Sequence, residues 1–166
     1  MLLDPHQLEW FKQAWPGPIV RSTSWLFSFG EILHFIGLCL LLGSLLFIDL
    51  RLMGFYRGAS VRSVLAFLPW TLFGFLLNAF SGWIFFTSNP ASYIENPAFL
   101  LKMLLIVLAG LNAAAFTLIE HRAMLKVGPG QDTPALTKML AGSSLLLWFA
   151  VLLLGRWLPI FTVGTN

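Results

Sequence analysis

Apolar residues run almost uninterrupted over Trp25–Ile48, Pro69–Phe86, Ala98–Ile119 and Met139–Leu158, with short polar segments between the runs. Each run is close to the roughly 20 residues that carry a helix across about 30 Å of hydrocarbon. Only helices and closed barrels satisfy every backbone group in lipid. Runs this continuous lack the strict alternation of a barrel strand. The pattern therefore predicts an all-α integral membrane protein, an antiparallel four-helix transmembrane bundle in a single domain over residues 1–166.

A short amphipathic helix is expected ahead of the first run, over residues 4–15. Asp4 can cap it and Pro5 suits the first helical position. Leu8, Phe11 and Trp15 then share one face, which suits a helix lying in the membrane interface. Pro16-Gly17-Pro18 should end it in a turn. Further along, Asn89-Pro90 and Asn96-Pro97 bracket one loop, Gly128-Pro129-Gly130 breaks another, and Thr133-Pro134 can open the fourth long helix.

Composition agrees with the pattern. The chain is 58% hydrophobic and 10% charged, against about 25% charged for an ordinary soluble domain. Mean hydropathy is +0.82. The net charge of +3 comes without a Lys/Arg cluster of the phosphate-tracking kind, which argues against nucleic acid as a partner. The single cysteine, Cys39, excludes an intramolecular disulfide and reads as a small hydrophobe. No basic segment followed by an apolar core marks a cleavable signal, so the first run is expected to serve as both signal and helix.

The loops predict orientation. Residues 49–62 carry Arg51, Arg57 and Arg62, and residues 120–138 carry Arg122, Lys126 and Lys138, whereas Thr87–Pro97 has Glu95 and no Lys or Arg. Positive loops stay in the cytoplasm, so both termini are expected on the periplasmic side of a bacterial inner membrane. Trp25, Trp83, Tyr93 and Trp157 then form an aromatic belt at the outer surface and Trp70 at the inner one. Asp49 and Arg51 can pair there.

An ionisable residue inside a span is costly and marks a candidate functional site. Among His6, His34 and His121, only His34 lies deep in a run. Glu31, three residues earlier, shares its helical face and could orient the imidazole or relay protons. Gly30, Gly37 and Ser44 flank that face, where small residues either let helices approach closely or leave room for a flat macrocycle. At 1.5 Å per residue, His34 lies roughly 22 Å above Asp49 and Lys102 roughly 27 Å above Glu120. His121 lies at the level of that reference, too far from His34 to share an iron. Lys102 either snorkels to the outer surface or turns inward to a buried acid, a ligand carboxylate or a metal. Asn78 and Asn112 are candidates for interhelical hydrogen bonds, with substrate contact as the other reading. Arg156 could anchor to headgroups or hold a propionate.

Two blocks carry a resemblance: His34-Phe-Ile-Gly-Leu-Cys-Leu-Leu-Leu-Gly-Ser running on to Asp49-Leu-Arg-Leu-Met-Gly54, and Phe99-Leu-Leu-Lys102 running through Asn112-Ala. The chain resembles a family of uncharacterised bacterial four-helix membrane proteins. It is distantly similar to copper-resistance D-type membrane domains and to the haem-containing, oxygen-independent protoporphyrinogen oxidase. The latter resemblance implies haem binding and points to His34 and Lys102. The uncharacterised family tends to carry a His just after the Asn-Ala block, where Phe116-Thr117 stands here. The expected function is a membrane protein with haem b as cofactor and His34 as metal ligand. Glu31, Lys102, Asn78 and Arg156 would line the cofactor, and electrons would pass within the bilayer to a quinone or redox partner. Alternatives are an accessory subunit of a larger membrane complex, a homo-oligomer among them, and a copper-handling or transport protein. Met53, Met103, Met124 and Met139 are too scattered to form a soft-metal path.

Overall fold

The computed structural model describes residues 5–162. Its helices are α1 (Pro5–Gln13), α2 (Gly17–Ser22), α3 (Ser24–Leu52), α4 (Val61–Leu65), α5 (Leu68–Ser88), α6 (Pro90–Ile94), α7 (Pro97–Ala115), α8 (His121–Met124) and α9 (Ala135–Thr162). A π-helical turn, Phe116–Glu120, joins α7 to α8. No strand occurs among the described residues. Four rods are long and apolar enough to cross a membrane: Ser24–Leu52, Val61–Ser88, Pro97–Met124 and Ala135–Leu158.

The rods outrun the apolar runs because polar residues at their ends stay helical. α3 continues through Asp49 and Arg51, both buried. The third rod passes its last apolar residue by way of the π turn, which widens the helix by one residue and shifts its phase. At the other end, Asp4 lies outside the described residues. A turn at Trp15-Pro16 follows α1 as expected, and Gly17-Pro18 then open α2, since proline suits a helix's first turn. A Cβ on Gly17 would stand 2.6 Å from the Thr87 carbonyl oxygen, so α2 presses onto the end of α5. Arg21 Nη1 donates to that same carbonyl at 2.7 Å, and Trp83 Nε1 donates to the Trp15 carbonyl at 2.9 Å. The segment Pro5–Ser22 is thereby strapped across the ends of α5 and α6.

α3 packs most closely on α5, and α7 on α9; α3 and α9 join the two pairs, while α5 and α7 do not pack along each other. The α3/α5 contacts pair 34 with 81, 37 with 74 and 78, and 44 with 71. Their closest approach is at Gly37 and Gly74. A Cβ on Gly74 would meet the Leu41 nitrogen at 2.5 Å and the Gly37 oxygen at 2.7 Å. In the other pair, Asn112 Nδ2 donates to the Leu140 carbonyl at 3.0 Å and its Oδ1 accepts from Ser143 at 3.0 Å, the interhelical bonding expected of it.

The most buried apolar cluster sits at the α4 end: Ile48, Leu52, Val61, Val64, Leu65, Met124 and Ala141. Arg51 closes it. Its side chain is fully buried and donates to the carbonyls of Ala59 (2.7 Å), Gln131 (3.2 Å) and Gly128 (3.3 Å). The expected Asp49–Arg51 pair does not form. Successive side chains about a helix diverge, and the Arg51 guanidinium is taken up by loop carbonyls while Ser144 on α9 faces Asp49. Outside this cluster the long helices turn large apolar residues outward, such as Phe35, Leu118 and Leu146.

Candidate functional site around His34

His34 projects from the middle of α3 toward α5, half-buried. Its Nδ1 lies 2.8 Å from Ser81 Oγ, and its ring sits 5.5 Å from the Phe85 ring. Ser81 is fully buried and has one proton to give. The Leu77 carbonyl at 2.7 Å and the Asn78 carbonyl at 3.3 Å receive it, as helical serines commonly allow. The serine oxygen is thus left to accept, and the hydrogen-bond network assigns the imidazole proton to Nδ1. Nε2 then carries the lone pair. This is how proteins prepare a ligating histidine: one ring nitrogen donates to a fixed partner, which sets the tautomer and points the other outward.

Ser81, not Glu31, orients the ring. Glu31 is exposed, and its carboxylate acts instead on Tyr93, just before α7. Burial first, and then that carboxylate, push the Tyr93 phenol above its ordinary range. Ser81 is legible in hindsight: it stands seven residues after Gly74 and so returns to the face that meets α3.

Lys102 is half-buried on α7. Its Nζ lies 3.4 Å from where a Cβ on Gly155 of α9 would stand, so the missing side chain makes room for the ammonium. The charge is close enough to act on His34. Among the described residues no carboxylate pairs with Lys102. Arg156, the neighbour of Gly155, is exposed.

Asn78 belongs to the helix crossing. Its Nδ2 donates to the Gly74 carbonyl of its own helix at 2.9 Å, and its buried Oδ1 has no partner. A Cβ on Gly37 would lie 2.5 Å from Nδ2. Phe85 fills the space beside Gly30, where a Cβ would stand 3.1 Å from its ring. The small residues of α3 therefore serve close helix packing, and the flat slot they could have left for a macrocycle is occupied by Phe85 and Asn78. What remains on this face for a ligand is the single imidazole of His34, hydrogen-bonded at Nδ1 to Ser81. Among the described residues there is no group of three or more His, Cys, Asp or Glu placed to hold a metal ion, but haem iron needs only one or two protein ligands. His121 stands apart, with its ring against Phe116 and its Nδ1 buried without a partner.

A family model described as "Family of unknown function (DUF6644)" matches residues 7–161. The chain belongs to this family. No curated protein and no solved structure matches the chain. The family match agrees with the resemblance to an uncharacterised family; nothing in these comparisons supports the similarity to copper-resistance D-type domains or to the protoporphyrinogen oxidase.

Proposed function

We propose that this chain is a multi-pass membrane protein that binds haem b through His34 and passes electrons within the bilayer, with a quinone or a redox protein as partner. Four apolar rods whose contacts run in opposite order along each pair support an up-down-up-down bundle. The basic loops at the α4 end and the Thr87–Pro97 loop without Lys or Arg favour periplasmic termini in a bacterial inner membrane.

The observation that carries the haem reading is the His34–Ser81 bond. With Nδ1 donating to Ser81, Nε2 would be free to ligate iron, on a helix packed closely against α5 at Gly37 and Gly74. Lys102, on α7 against Gly155, would hold an anionic substituent of the cofactor. Phe85 packs its ring 5.5 Å from that of His34. Haem, once bound, supplies the one-electron couple.

An absorption spectrum of the protein in mild detergent, oxidised and then dithionite-reduced, tests the reading. A Soret band with sharpened reduced bands is expected, absent in His34→Ala. Ser81→Ala should keep the band but weaken haem affinity by roughly 10–100-fold, the usual cost of losing a ligand's outer partner. A colourless protein expressed with ample haem overturns the reading. That result would favour an accessory subunit, which the filled space beside Gly30 and Gly37 also suits, and co-purification with a partner would then identify its complex.

A further inference from the structure

Three basic residues at the α4 end have no acid to pair with among the described residues. Arg62 leads the first turn of α4, Arg122 belongs to α8, and Lys126 follows it by four residues; all three are exposed. The fold brings the segments that carry them together. The Val61 N–H donates to the Val127 carbonyl at 3.2 Å, so residues 62 and 126 flank one backbone hydrogen bond. Val61 and Met124 are buried in the apolar cluster beneath, which anchors both segments. The other cations of this end are engaged. Arg51 is buried on loop carbonyls, while Arg57 and Lys138 share Asp132 at 3.2 and 2.8 Å. The nearest acid in the chain, Glu120, accepts from Thr137 Oγ1 at 2.6 Å.

The same three residues border outward-facing apolar surface. Leu118 and Ile119 precede Arg122 on its own rod, and Phe67 and Trp70 follow Arg62. Cations at the end of apolar helices, beside an exposed aromatic, match an anionic headgroup with its acyl chains alongside. We propose that Arg62, Arg122 and Lys126 form a binding site for the phosphate of an anionic phospholipid. The proposal rests on the membrane reading above, though not on haem.

Native mass spectrometry of the full chain in detergent tests it, with phosphatidylglycerol and phosphatidylcholine as probes. Phosphatidylglycerol should be retained preferentially, and added salt should weaken it. Each of Arg62→Gln, Arg122→Gln and Lys126→Gln should lower its affinity roughly fivefold, and the triple variant on the order of 100-fold. Arg57→Gln with Lys138→Gln should leave it unchanged, because those charges already face Asp132. Equal retention of the two lipids, an unaffected triple variant, or an equal loss in the Arg57/Lys138 variant overturns the proposal. Displacement by millimolar inorganic phosphate would place free phosphate, not lipid, in the site and overturns it too. A chain released from membranes by alkaline carbonate overturns the membrane reading and this site with it. One retained there yet indifferent to headgroup overturns the site alone.

Discussion

Single residues in this chain act through what their neighbours leave them. Ser81 has one proton, and when the Leu77 carbonyl takes it the serine oxygen is left to accept from His34 Nδ1. The Lys102 ammonium lies against α9 where residue 155 has no side chain. Gly37 and Gly74 owe their importance to backbone atoms that cannot move aside. A methyl on Gly74 would overlap the Leu41 nitrogen and the Gly37 oxygen, so Gly74→Ala should separate α3 from α5 and cost about 1–3 kcal/mol. Gly110 has open space around its would-be Cβ, and Gly110→Ala should be neutral or slightly stabilising. Thermal unfolding in detergent compares the two. Equal Tm changes would mean that the α3/α5 crossing does not limit stability.

The elements are joined at the α4 end by polar groups whose roles their spacing does not betray. Arg51 ties the end of α3 to two loops through three carbonyls. Asp132 adds an exposed clasp, meeting Lys138 at 2.8 Å and Arg57 at 3.2 Å. The Lys138 hydrogen bond, followed by one from the Thr133 backbone, holds the Asp132 carboxyl below its ordinary range. A carboxyl whose folded value lies below its unfolded value stabilises the fold above the unfolded value of about 3.9, and that contribution is lost as pH falls through the folded value. Amide hydrogen exchange over residues 54–60 and 128–132 should therefore be unchanged between pH 7 and 5 once corrected for intrinsic rates. It should rise below about pH 4 and at high salt. Exchange that already rises between pH 7 and 5 would mean that another group controls these loops. The π turn is the other element-level feature. By shifting the helix phase it lets Glu120 meet Thr137, which is fully buried on α9.

For the whole molecule the governing fact is where the apolar surface lies. Phe35, Leu118 and Leu146 are more than two-thirds exposed, and the buried apolar cluster is confined to one end. In water such a surface would drive aggregation; against acyl chains it is already solvated. Cys39, the single cysteine, faces outward from the middle of α3. In intact membranes it should react with a lipid-soluble maleimide and resist a charged one until detergent or denaturant exposes it. Labelling of Cys39 by the charged reagent in sealed vesicles would place α3 outside the hydrocarbon.

Four helices long and apolar enough to cross a membrane, their near-boundaries and the isolation of His34 were legible in the sequence alone, because a helix suited to lipid must satisfy its own backbone and shows that need as one long apolar run. The interhelical role of Asn112 was legible for the same reason: a polar group at that depth needs a partner. Which partner each group finds was left to the tertiary structure, since it depends on helix rotation and register. Glu31, on the same helical face, was the expected companion of His34, and only the α3/α5 crossing brings Ser81 to 2.8 Å instead. Asp49 and Arg51 looked like a pair, yet two residues along a helix diverge by roughly 200° and the loops claim the arginine. Small residues around His34 allowed either a slot or a tight crossing; contact with Asn78 and Phe85 decided for the crossing. Lys126 and Arg62 lie far apart in the chain, and one backbone hydrogen bond between their neighbours makes them a single patch.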